Sequence, residues 1–200
     1  MFTRSVRIGP GSYAFRGFDT RANQIFLKGY PEKGVIQKEK NISEQTGDGG
    51  LSSDGVLNYD SKTGLLVYTF YYSNQFLCLD TNLNLVNRGQ TLDTISNPSF
   101  KTGTSGHIMT SMAPKRLVNG ASAVYNGTLF TNSSLRGDNE SAHKFRENSV
   151  IDMYDEKSGQ YKGSFYVPMY ANERIIWFKI IEKKLVAIYM SNVVSYHLDI

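Results

Sequence analysis

Few residues in this chain have the types and spacing that chemistry needs. The three histidines, His107, His143 and His197, are far apart, and His197 alternates with Tyr196 and Leu198 as a strand residue does. Asp138, Glu140 and His143, followed by Arg146, form the one compact acid and histidine cluster. Such a group can hold a cation or act as an acid–base pair, but in a polar connection between strands it reads as a solvated face. Asp80-Thr81-Asn82-Leu83-Asn84 begins like a calcium loop, with oxygen donors at positions 1, 3 and 5. It fails at position 6, where Leu85 replaces the required glycine, and at position 12, where Thr91 replaces glutamate. A polar turn is expected there. Ser105-Gly106-His107 suggests a hydrolase, yet the chain has no Gly-x-Ser-x-Gly elbow. Gly9-Pro10-Gly11 and Gly47-Asp48-Gly49-Gly50 lack the strand, helix and lysine that make a phosphate loop. Cys78, the single cysteine, lies in Phe76-Leu77-Cys78-Leu79 and reads as a buried, inert thiol. No catalytic residue, metal or cofactor is expected.

Composition narrows the class further. At 200 residues with 40% hydrophobic and 20% charged side chains, disorder and fibrous repeats are excluded. Thirteen Tyr, 11 Phe and one Trp supply enough aromatic mass for a core without disulfide or metal staples. The net charge of +4 is spread along the chain, so no basic patch marks a nucleic-acid partner. No run of about 18 apolar residues is present to span a membrane as a helix. Residues 1–11 lack the apolar stretch of a secretory signal, so the chain reads as cytoplasmic or as missing its native N-terminus.

The elements that must position any site are strands. Leu65-Leu66-Val67-Tyr68-Thr69-Phe70-Tyr71-Tyr72 is β-branched and aromatic, and runs of the same kind recur at 76–79, 149–154, 161–167, 174–181, 184–190 and 193–198. Helical periodicity over eleven residues is absent. Ser61-Lys62-Thr63-Gly64, Asn126-Gly127, Glu156-Lys157-Ser158-Gly159 and Glu182-Lys183-Lys184 punctuate the runs as hairpin turns. The polar segment 96–114 reads as a long loop within a single domain spanning 1–200.

A phrase repeats. Tyr59-Asp60-Ser61-Lys62-Thr63-Gly64 and Tyr154-Asp155-Glu156-Lys157-Ser158-Gly159 share Tyr-Asp-x-Lys-(Ser/Thr)-Gly, with Phe70-Tyr71 and Phe165-Tyr166 downstream. The Asp carboxylate is expected to accept turn N–H groups and the Gly to take a positive φ. The two turns are expected to be equivalent in two blades of a repeat architecture.

On these residues, and on 161–168, 184–189 and 193–198, the chain resembles bacterial six-bladed β-propellers of the NHL/TolB-like kind. The resemblance covers about 53–92 and 120–200 and weakens in 1–50. It implies an all-β fold of antiparallel blades, about three to four of a six-bladed ring, with the missing part N-terminal. A full six-bladed ring at about 40–50 residues per blade needs roughly 270 residues. A closed four-bladed ring is the competing expectation. The resemblance favours the periplasm or cell envelope.

Two functions stay open. One is a non-enzymatic binding or scaffold domain whose loops at 88–96 and 135–146, with Arg88, Asp93, Asp138, His143 and Arg146, face a protein, small-molecule or glycan partner. The other is part of a propeller hydrolase or lyase acting on a carbohydrate or peptide.

Overall fold

A computed structural model describes residues 2–19, 24–40, 50–96, 102–105, 108–111 and 116–199. The first sheet is a meander of β1 (Phe2–Gly9), β2 (Ser12–Phe18), β3 (Gln24–Tyr30) and β4 (Val35–Lys40). The second is β5 (Gly55–Asp60), β6 (Leu65–Phe70), β7 (Gln75–Asp80) and β8 (Leu85–Gln90). A two-stranded hairpin, β9 (Thr102–Ser105) with β10 (Ile108–Ser111), follows. The third sheet holds β11 (Asn119–Tyr125), β12 (Thr128–Ser133), β13 (Asn148–Asp155) and β14 (Tyr161–Pro168), with the short helix α1 (Ala142–Glu147) between β12 and β13. The last is β15 (Trp177–Ile181), β16 (Lys184–Ile188) and β17 (Val193–His197). All pairing is antiparallel, and the four larger sheets are arranged as propeller blades.

Among the described residues, three apolar cores lie between the four larger sheets. Ile8, Ala14 and Phe26 of the first meet Leu57, Leu66, Tyr68 and Leu77 of the second. Val67, Phe76 and Cys78 from the opposite face of the second meet Leu129 and Tyr154 of the third. Phe130, Ile151 and Val167 of the third meet Phe178, Ile180 and Leu185 of the last. Successive strand residues point to opposite faces, so the unbroken apolar run of β6 follows from burial of both its faces. Each such fully buried aromatic or aliphatic side chain contributes about 1.5–3 kcal/mol. The innermost strands touch in series, β1 to β5, β5 to β11 and β11 to β15.

The sequence-derived strands at 65–72, 76–79, 149–154 and 161–167 match β6, β7, β13 and β14 to within two residues. The first sheet, where the resemblance weakened, is as complete as the second. The Tyr-Asp turns behave locally as expected. Asp60 Oδ1 accepts from Lys62 N at 2.8 Å, Asp155 Oδ1 accepts from Ser158 N at 2.9 Å, and Gly64 and Gly159 have φ of 71° and 74°. Their expected equivalence is wrong. One joins the first and second strands of its sheet, and the other joins the third and fourth. Both turns lie at the same end of their meanders, which explains the shared chemistry without shared position. Within 96–114 the hairpin β9–β10 is present; His107 and Gly106 lie outside the described residues, as do Gly47, Asp48 and Gly49.

Candidate functional site

Between the second and third sheets, at the end opposite the Tyr-Asp turns, lies a cavity of about 460 Å³. Its floor comes from β13 and β14, its rim from the chain leaving β8 (Leu92, Asp93, Thr94) and from the β12–β13 connection (Leu135 to Glu140). Asp152 sits centrally in β13 among apolar neighbours, and only 5% of it is exposed. A carboxylate there must find donors, because desolvating it unpaired is costly. Ser164 Oγ of β14, the cross-strand partner, donates to Asp152 Oδ1. Tyr154 OH donates to Oδ2 at 3.5 Å and accepts from Leu92 N at 3.0 Å. Tyr161 OH lies 2.7 Å from Ser164 Oγ. The result is a polar chain from the rim of one sheet to the outer strand of the next.

Burial holds the Asp152 carboxyl above the usual carboxylate range; the Ser164 and Tyr154 hydrogen bonds oppose that shift, and the nearby Glu140 charge reinforces it. Asp138 and Glu140 add carboxylates at the rim, where Gly137 N donates to Glu140 Oε2 at 3.3 Å. Aromatic walls come from Tyr161 and Tyr166. Such a lining can orient a ligand that offers hydrogen-bond donors and a flat apolar face.

Of the five residues expected to bind, Asp93 and Asp138 line this cavity. Asp93 has a structural duty as well, its Oδ1 accepting from Ile95 N at 2.8 Å. Arg88 lies on β8 and donates to Gln75 Oε1 at 3.0 Å. His143 is an exposed residue of α1, 3.1 Å from Glu147 Oε1, and Arg146 lies exposed on the same helix. These three are not among the cavity's lining residues. Sequence reasoning missed Asp152, Ser164 and Tyr161, although an acidic residue in the middle of Val150-Ile151-Asp152-Met153-Tyr154 was a usable signal.

The other candidates resolve locally. Asp80 Oδ1 accepts from Asn82 N and Asn84 N, both at 2.8 Å, so this carboxylate serves the β7–β8 turn. Burial pushes the Cys78 thiol up to about 12, with the Glu156 and Asp155 charges adding to it, which leaves no thiolate near neutrality. Among the described residues no group of three or more His, Cys, Asp and Glu is gathered as metal ligands. No helix is long and apolar enough to cross a membrane among them either.

No protein-family model matches the chain, and no curated protein matches it in sequence. Among solved structures, the WD40 domain of Neurospora crassa Pan2 aligns over 95% of this chain and 47% of its own, at 12% identity and a TM-score of 0.52. A europium-containing methanol dehydrogenase aligns over 83% of this chain and 27% of its own, at 11% identity and a TM-score of 0.45. The likeness to the Pan2 domain establishes the class, a β-propeller fold. The chain spans about half the length of that domain.

Proposed function

We propose that this chain is a non-enzymatic binding or scaffold domain that captures its partner at the junction of the second and third blades. The observation that carries this reading is the cavity there, where rim residues Asp93 and Asp138 stand over the buried Asp152–Ser164–Tyr161 chain. The described residues gather the polar groups on loops and outer strands, while the apolar residues build rigid interblade cores. The partner class is a peptide segment or a glycan, which combine hydrogen-bonding groups with flat or aliphatic faces. On the same reading the chain is an arc of a larger bacterial propeller, six-bladed and NHL/TolB-like, of the periplasm or cell envelope. In support of an arc, the innermost strands touch in series and, among the described residues, no comparable contact joins β15 to β1.

Peptide and glycan arrays probed with the wild type and with an Asp138→Ala, Glu140→Ala double variant test the reading. Binders should be found for the wild type and lost by the variant at an unchanged unfolding midpoint. Turnover of a bound glycan or peptide, abolished by Asp152→Asn, would overturn it in favour of an enzyme.

A further inference from the structure

Three of the four larger sheets are meanders of four strands, and the last has three. Its outermost strand, β17, pairs with β16 along one edge, and among the described residues no strand pairs with the other edge. Leu198 N donates to Lys183 O at 2.7 Å and Tyr189 N to Asn192 O at 2.8 Å, which fixes the phase of the ladder. Val194 and Tyr196 therefore turn their main-chain groups toward β16, and Val193, Ser195 and His197 turn theirs outward. A row of outward N–H and C=O groups is a template for a further strand.

The space beside that edge has the matching shape. Side chains alternate between faces, so Val194, Tyr196 and Leu198 pack toward the third sheet, while Val193, Ser195 and His197 stand exposed on the other face. A second cavity, of about 340 Å³, lies where β17 meets the outer part of the third sheet. Met153, Phe165 and Val167 line it from β13 and β14, and Tyr196 and Leu198 from the last sheet. Met153, Phe165 and Tyr196 are only partly buried there. In the third sheet the corresponding place beside β13 is occupied by β14.

We propose that β17 is the docking edge for an extended segment of a partner protein, which adds antiparallel as the fourth strand of the last sheet. Main-chain hydrogen bonds to Val193, Ser195 and His197 supply the affinity. Apolar residues of the segment opposite Tyr196 and Val194 enter the cavity, with polar residues between them. The antiparallel sense continues every pairing of the described strands. A strand from another molecule is selected by the sequence of the segments outside the described residues: 41–49 carries one apolar residue, Ile42, and 97–101 and 112–115 are each interrupted by a proline, Pro98 and Pro114. This edge is separate from the cavity between the second and third sheets, so it stands or falls independently of the function proposed above.

The probe is the blocked peptide Ser-Thr-Val-Thr-Val-Thr-Ser, with its central threonine opposite Ser195 and its valines opposite Tyr196 and Val194. Hydrogen exchange read by NMR on the full chain should show the Val193, Ser195 and His197 amides exchanging freely alone and at least about tenfold more slowly with peptide. N-methylation of the central threonine, whose N–H faces the edge, should weaken binding about tenfold. The same change at either valine, whose N–H points away, should alter it by less than about twofold. Binding should be unaffected in the Asp138→Ala, Glu140→Ala double variant; its loss there would place the peptide in the other cavity and overturn the proposal. No slowing at any peptide concentration, or equal losses from both kinds of N-methylation, would overturn it too. Amides already slow in the free protein would mean that the chain covers its own edge, and slowing that grows with protein concentration alone would mean that a second copy does. Either result would also overturn docking of a partner strand.

Discussion

Replacing Glu156 with glutamine should flatten the pH dependence of stability between about pH 5 and 8. Glu156 follows Asp155 in the second Tyr-Asp turn and has no exposed surface. Its Oε2 accepts from Thr63 Oγ1, in the first such turn, at 2.9 Å. Its Oε1 has no donor among the described residues, and the Asp60 carboxylate lies within hydrogen-bonding reach. Asp60 is itself held by Gly127 N, which donates to Oδ2 at 2.7 Å. Three turns of two blades therefore meet over a pair of buried carboxyl groups. Burial, and after it the Asp60 and Asp155 charges, outweigh the Thr63 bond and push the Glu156 carboxyl up from 4.5 to about 7.

The folded protein therefore holds a proton that the unfolded chain releases near pH 4.5. This stabilisation is fully present below pH 4.5 and is lost as pH rises through about 7. At about 1.4 kcal/mol for each tenfold change in proton affinity, the difference between the two ends is on the order of 3 kcal/mol. For a chain of this size that is roughly 6–12 °C in unfolding midpoint. A glutamine side chain at this position would keep an acceptor for Thr63 and present N–H to Asp60 at every pH. Thermal unfolding at pH 5 should leave the Glu156→Gln variant close to the wild type, and at pH 8 the variant should be the more stable. Parallel pH profiles for the two proteins would refute the reasoning.

Other substitutions test the packing and the site. Gly55→Ala would drive a Cβ into the Thr69 carbonyl oxygen across the β5–β6 pair, which backbone cannot evade; a loss of about 1–3 kcal/mol in urea unfolding is expected. Arg16→Met should cost about 1.5–3 kcal/mol by the same assay, because buried Arg16 pairs with the partly exposed Asp54 at 3.1 Å and donates to Gly50 O at 3.3 Å between the first two blades. Alanine at Arg88, Asp138, His143 and Arg146 together should leave the unfolding midpoint within a few degrees of the wild type. Any loss of ligand affinity in that set should be reproduced by Asp138→Ala alone, since it is the one of the four at the cavity.

The blades from 55 onward were legible because their strands are β-branched and aromatic and are bounded by Gly, Asn and Asp turns. The first blade was less so. Its strands carry Arg4, Arg7, Arg16 and Lys28, and the burial of Arg16 depends on Asp54, a residue of the next blade's entry that no local window pairs with it. The Tyr-Asp phrase was readable as turn chemistry, but that its two copies touch through Thr63 and Glu156 is a product of blade stacking. At the cavity, Asp93 and Asp138 stood out because they lie in polar loops. Asp152, Ser164 and Tyr161 did not, since each reads as an ordinary strand position until β13 and β14 pair and set the carboxylate beside the hydroxyl.

The most direct test of partner capture at the blade junction is to map a ligand from the peptide or glycan arrays onto the protein by amide chemical-shift perturbation. Shifts should concentrate at Asp93, Asp138, Asp152, Tyr161 and Ser164, with the Ile188 and Val193 amides of the last sheet unmoved. Shifts centred on the Tyr-Asp turns or on α1, with the Asp152 and Ser164 amides unchanged, would contradict a binding site at that junction.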